Sequence, residues 1–304
     1  MLPRITVIGA ANVDISATSL GKFRQYDSNP SLVRVCFGGV GRNIAHNLVL
    51  MGAEVRFLTV FGDDIMSQTL YDDCERLDMK LEPAVLIRNA RSNYFVCIND
   101  EHGEMQAGAA DIGLLDNLTP EHIEKEFKCG ETAEAVVADC NLREDTLKAL
   151  ATNCKGSLYI DATSAAKSVK IKSLLSLPAH APLIVKVNRL EASQVSGVDA
   201  DAKTMAERII ALGAERVYIT LGAEGVFCHD GKTGTLVPSE CTQIVNATGA
   251  GDAFMAGMIM GEINGKEICE ATQWGMNAAS MALQSQHPVN PDISLEIIRG
   301  KSDK

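Results

Sequence analysis

Short apolar runs alternate with helical patterns along most of this chain. Residues 5–8, 55–60, 135–138, 158–160, 183–185 and 217–220 read as buried strands. Polar helical stretches separate them: residues 43 to 51 set Ile44, Leu48 and Met51 on one face, and another helix is expected around 205–212. Alternation of this kind builds βαβ units, hence a mostly parallel sheet covered on both faces. Ligands of such sheets bind at the carboxyl ends of the strands. The polar residues just after each strand are therefore the place to look for chemistry.

Two stretches break the rhythm. Residues 14–37 lack a helical pattern. So do residues 83–111, where 85–87, 92–98 and the segment from Gly103 onward read as antiparallel strands and turns. Together they are expected to form a small β appendage, a lid, from roughly 13–37 and 83–111. Beyond Gly249 come two long helical patterns, 252–263 and 267–283. With no internal repeat and no low-complexity linker, the reading is one main domain over 1–304 carrying that appendage.

Composition narrows the partners. The chain has 304 residues, 46% hydrophobic and 22% charged, and its net charge is −11. An acidic chain argues against nucleic acid and against an anionic membrane surface. Nine cysteines, an odd number without a C-x-x-C pair, signal neither a zinc site nor a redox motif; free thiols in a reducing cytoplasm are expected. The start, Met1-Leu2-Pro3-Arg4, has no signal-peptide pattern, and no apolar run is long enough to span a membrane. A soluble cytoplasmic protein is the expectation.

Five segments could carry chemistry. Gly38-Gly39-Val40-Gly41-Arg42-Asn43 leads into a helix, but it is not a dinucleotide fingerprint, because the third glycine would fall on Ile44. A tight strand-to-helix connection explains it equally well. Thr248-Gly249-Ala250-Gly251-Asp252 puts small residues before a helix, where exposed N–H groups and the helix dipole make an anion site. Asp252 is then either a base acting on a hydroxyl or a plain helix cap. Asn188 and Glu191 could hold a water shell around Mg²⁺, or form a capping box. The turn from Thr220 through Gly222 to Gly225 could present a hydroxyl and amides to a nucleotide phosphate, or be an ordinary turn. Asn12 and Asp14 suit vicinal hydroxyls, and Asp139 to Asn141 offers polar groups at another strand end. A P-loop is absent: the glycine required before Gly231-Lys232-Thr233 would be Val226.

Taken together these segments resemble the ribokinase-like (PfkB) carbohydrate kinase family. Gly38–Ala45 is similar to its G-G-x-G-x-N-x-A signature, Thr248–Asp252 to its T-G-A-G-D core, and Asn188 with Glu191 to its N-x-x-E motif, in order across nearly the whole chain. The resemblance implies a three-layer α/β/α sandwich with a mostly parallel sheet and a small β-sheet lid. It implies transfer of phosphoryl from ATP, with Mg²⁺, to a hydroxyl. Within the family the likeness is to members that phosphorylate the 5′-hydroxyl of pseudouridine; ribose or another nucleoside is the alternative acceptor, and a nucleoside-sensing module without catalysis is the alternative from another class.

By that resemblance Asp252 is the base, and the amides of Gly249, Ala250 and Gly251 form the anion hole. Asp14, Gly39 and Asn43, helped by Asn12 and Asn141, hold ribose hydroxyls. Ser92, Asn93 and Asp111 touch the base. Asn188 and Glu191 organise Mg²⁺, Thr220, Gly222 and Gly225 face ATP, and Asn277 lies near adenine. Many members carry Asp where this chain has Asn246, which with Thr248 would hold K⁺ through a neutral oxygen. A homodimer through the lid is expected, because a small lone sheet needs cover.

Overall fold

Strands of continuous apolar character build the centre of the molecule. The computed structural model describes residues 2–128, 133–178, 181–239 and 244–300. Its strands are β1 (Arg4–Ile8), β2 (Asn12–Ser19), β3 (Ser31–Gly38), β4 (Glu54–Leu58), β5 (Val60–Phe61), β6 (Val85–Leu86), β7 (Tyr94–Asn99), β8 (Met105–Asp111), β9 (Ala135–Asp139), β10 (Leu158–Asp161), β11 (Leu183–Asn188), β12 (Arg216–Thr220), β13 (Val226–His229) and β14 (Gly234–Val237). The helices are α1 (Val40–Leu50), α2 (Ile65–Arg76), α3 (Pro120–Lys128), α4 (Glu144–Asn153), α5 (Ala165–Ser168), α6 (Lys170–Leu175), α7 (Arg189–Ser196), α8 (Ala202–Ala211), α9 (Ala250–Ile263), α10 (Ile268–Leu283) and α11 (Leu295–Arg299).

Eight strands form one sheet in the order β14-β13-β12-β11-β10-β9-β1-β4. The six from β12 to β4 run parallel, and β13 and β14 add an antiparallel edge. Burial on both faces explains why their sequences do not alternate. Two apolar clusters fill the layers. Ile8, Val136, Ile160 and Val185 pack on one face with Leu147, Leu174, Val195 and Met205. Val7, Val137, Tyr159 and Ile184 pack on the other with Ile44, Leu48, Phe254 and Trp274. Local chemistry starts the helices: Asp64 accepts from Ser67 N at 2.7 Å before α2, and Asp201 from Thr204 N at 2.8 Å before α8.

A second, four-stranded sheet has the order β3-β2-β7-β8. Two details differ from the sequence reading. Val85–Leu86 does not join it but pairs in parallel with Val60–Phe61, because the segment after α2 returns beside the end of the large sheet. Within the small sheet β2 and β7 are parallel, since the connection between them passes through α1, β4 and α2 instead of a hairpin. The seven described cysteines are free; Cys129 and Cys241 lie outside the described residues. Among the described residues no helix is long and apolar enough to cross a membrane.

Candidate active site

Parallel register aligns Asp139, Asp161 and Lys186 across three neighbouring strand ends. Asp139 works as a staple. Its Oδ2 accepts the Ala10 and Gly41 N–H groups at 2.9 and 2.8 Å, and its Oδ1 accepts the Asn141 N–H at 2.8 Å. One carboxylate thus ties the end of β1, the first turn of α1 and the loop after β9. Burial pushes the Asp139 carboxyl up, and those amides oppose the rise.

The staple sets the position of Asn43, one turn into α1. Asn43 Nδ2 donates to Asp252 Oδ2 at 2.9 Å, joining the two glycine-rich segments across the top of the sheet. Gly249 caps α9 with φ +83, and a Cβ there would stand 1.9 Å from the Pro288 carbonyl oxygen. Glycine is required on both counts. The Ala250 N–H turns back to Ala247 O at 3.5 Å. Asp252 is 9% exposed. Burial first, then the charge of Asp161, pushes its carboxyl up to about 8, while Lys186 and Asn43 pull it down. A carboxyl with that balance takes a proton readily near neutral pH, as a general base does.

Beside it lies a set of acceptors without donors. The Oδ1 atoms of Asn12, Asp14, Asn43 and Asn93 are buried and have no hydrogen-bond partner. They are neighbours: Asn12 pairs with Gly38 just before α1, and Asn93 O accepts from Val13 N at 2.9 Å. Each orphan costs about 1–3 kcal/mol if left unsatisfied. Burial also pushes Asp14 up to about 7, against the Arg42 guanidinium. Four orphaned acceptors ask for a ligand rich in hydroxyl donors.

Other sequence candidates are placed less simply. Asn141 stands at the same sheet edge, but its Oδ1 accepts Lys167 Nζ at 2.5 Å. The Ser92 hydroxyl is turned to Asp64, 2.7 Å away, and supports the start of α2. Asp111 pairs with Tyr94, and strand alternation sets both on the face opposite Asp14. Asn277 is spent within the helices, accepting from Gln273 and donating to Ile298 O at 2.8 Å. Asn188 and Glu191 do form a capping box, with bonds of 2.9 and 2.7 Å. Thr220 Oγ1 leans on Val187 O at 3.4 Å, and Gly222 and Gly225 both take positive φ in the following turn. Asn246 Oδ1 accepts Thr248 N at 3.0 Å just ahead of α9. Asn188 and Thr220 are paired in register, so those two share the other half of the same sheet end.

Sequence reading offered Asp139 only as a polar group at a strand end and left Asp161, Lys186 and Lys167 without roles. A signal existed for three: Asp139 and Asp161 each end a buried strand, and Lys186 is a charge inside the apolar run of β11.

Comparison with known proteins gives the family and the fold. The family model "pfkB family carbohydrate kinase" matches residues 2–294. A pseudouridine kinase of Escherichia coli is 30% identical over 298 residues, covering 96% of this chain and 94% of its own. A guanosine-inosine kinase of Exiguobacterium acetylicum is 25% identical, over 93% and 95%. Among solved structures, a carbohydrate kinase from Agrobacterium tumefaciens superposes with a TM-score of 0.82 at 26% identity, covering 98% of this chain and 96% of its own.

Proposed function

The chain belongs to the pfkB family of carbohydrate kinases, and from that premise we propose that it moves the γ-phosphoryl group of ATP to the 5′-hydroxyl of a ribonucleoside, pseudouridine first. The observation that carries this reading is the Asn43–Asp252 hydrogen bond of 2.9 Å. It joins a group facing the orphaned acceptors to a carboxylate at a helix N-terminus. A bound hydroxyl and an incoming phosphoryl group then meet at one point.

The residues divide the work. Asn12, Asp14, Asn43 and Asn93 accept the ligand's hydroxyls, which removes their desolvation cost. Asp252 takes the proton of the 5′-hydroxyl as its oxygen bonds to phosphorus and ADP leaves. The amides of Gly249 and Gly251 meet the phosphoryl oxygens, with Ala250 as the weakest donor of the three. No cluster of three or more metal-ligating side chains occurs among the described residues. That fits a hydrated Mg²⁺ arriving with ATP, near Asn188 and Glu191, where it would neutralise phosphate charge. Thr220, Gly222 and Gly225 would face the nucleotide, and Asn246 with Thr248 would hold K⁺.

Pseudouridine ranks first because a pseudouridine kinase is similar over nearly the whole of both chains. The test is ADP production with pseudouridine, uridine, ribose and adenosine, each with and without K⁺. Pseudouridine should give the highest kcat/KM; ribose outcompeting it would sink the acceptor assignment.

A homodimer through the small sheet belongs to the same reading. Cross-strand rows Val35–Ile15–Val96–Ala109 and Val33–Ala17–Ile98–Ala107 are apolar throughout. Val33, Val35, Val96 and Ile98 are exposed, on the face turned away from Asp14. A flat apolar sheet face of this kind is covered by a second copy.

A further inference from the structure

Lys186 is a charge within an otherwise apolar strand, and no step above uses it. Its Nζ lies 2.9 Å from Asp161 Oδ2, and both side chains are nearly inaccessible to water. A buried pair is a poor source of stability, since apolar residues of similar volume often do as well. Position explains it better. A Cβ added to Gly251 would lie 2.7 Å from Lys186 Nζ, so the ammonium rests against the first turn of α9. Asp161 is itself held: its Oδ1 accepts the Thr163 N–H at 2.7 Å. Thr163 reaches that bond with φ +65, a left-handed conformation that β-branched residues seldom adopt. Strain of this sort persists where surrounding structure enforces it, commonly beside functional groups.

We propose, resting on the kinase reading, that Lys186 is a positioning residue for phosphoryl transfer: clamped by Asp161, its ammonium backs the first turn of α9, favours the ionised form of Asp252, and adds a fixed positive charge behind the amides that receive the phosphoryl oxygens. The groups bearing on Asp252 come from four elements: Asp161 of β10, Lys186 of β11, Asp139 of β9 and Asn43 of α1. Of these only Lys186 carries a positive charge. It lies on the side where phosphoryl charge would arrive, and a side chain at position 251 would displace it.

Two readouts test this. In turnover, Lys186→Met should lower kcat roughly 10²-fold, as loss of one preorganised charge-stabilising group does. The nucleoside KM should stay within about 3-fold, because the lost interaction matters in the transition state. Independently of turnover, ¹³C NMR of aspartate-labelled protein without ligands follows the Asp252 carboxyl, identified by its absence in Asp252→Asn. Its midpoint should move up in Lys186→Met and down in Asp161→Asn. A merely structural pair would move neither, or both in one direction, and either result overturns the proposal. Should the single variants fail to fold, Asp161→Asn/Lys186→Met leaves no unpaired buried charge. Folded, it should share the kcat loss; a folded double variant with wild-type kcat overturns the proposal. Wild-type protein inert toward every nucleoside and sugar overturns the kinase reading itself, whereas active wild type with unaltered variants overturns this proposal alone.

Discussion

Asp252 carries two demands that oppose each other. As a base it must lose a proton; as a buried group it resists carrying charge. Its folded-state carboxyl sits near 8, above the ordinary 3.8. A raised carboxyl contributes stability that is fully present below about 3.8 and is lost as pH rises through about 8. Asp252→Asn is free of that loss and keeps an oxygen for Asn43. Its melting temperature should therefore exceed that of wild type by a margin that grows from acidic pH and levels off above about 8, read by calorimetry across pH. Its kcat should fall roughly 10²–10⁴-fold. A variant no more stable than wild type at pH 8.5 would refute the burial argument, and near-normal kcat would remove Asp252 from the chemistry; it is not the helix cap, since Gly249 holds that position. At this scale the sequence marked Asp14, Asn43 and Asp252 because each sits beside a strand end or a glycine cluster, and the Asn43–Asp252 bond brings two of them together. Ser92 and Asn277 have protein partners, Asp64 and Ile298, that come from tertiary packing no local pattern reveals.

Among the elements, α9 is the one whose start determines the site. The Val245 and Asn246 N–H groups both reach Leu283 O, so the approach to α9 is tied to the end of α10. Gly249 sits between that tie and the Pro288 carbonyl. Gly249→Ala should cost about 1–2 kcal/mol for the left-handed conformation, and more for the 1.9 Å approach to Pro288 O. Gly265→Ala is the control: its φ is +72, yet nothing lies within 4 Å of the added Cβ. Urea titration should rank Gly249→Ala as clearly the less stable of the two; equal losses would show that the backbone angle alone matters there. The six parallel strands of the large sheet followed from apolar runs, because burial on both faces leaves no alternation to confuse with loops; the antiparallel edge strands β13 and β14 were not among those runs. The pairing of Val85–Leu86 did not, since two residues of strand carry no period and Val60, of the partner strand Val60–Phe61, was fused by pattern with β4. The direction of β7 against β2 was also hidden, being set by the path of the intervening chain.

Over the whole molecule, two faces of the small sheet take different work: Asn12, Asp14 and Asn93 on one, valines and isoleucine on the other. Val33→Glu/Val35→Glu places like charges across any two-fold contact made by the apolar face. Sedimentation velocity should find wild type at twice the 32.5 kDa chain mass and the variant at one; an unchanged variant would rule out this face. The Asn43–Asp252 bond has a further consequence, for synthesis. Its partners are 209 positions apart, and the Asp139 staple already spans 129 from Ala10. A nascent chain that has emerged only through the small sheet holds its hydroxyl-reading residues but lacks the carboxylates that fix them. The cleft is therefore completed late in synthesis, only once residue 252 has joined the fold.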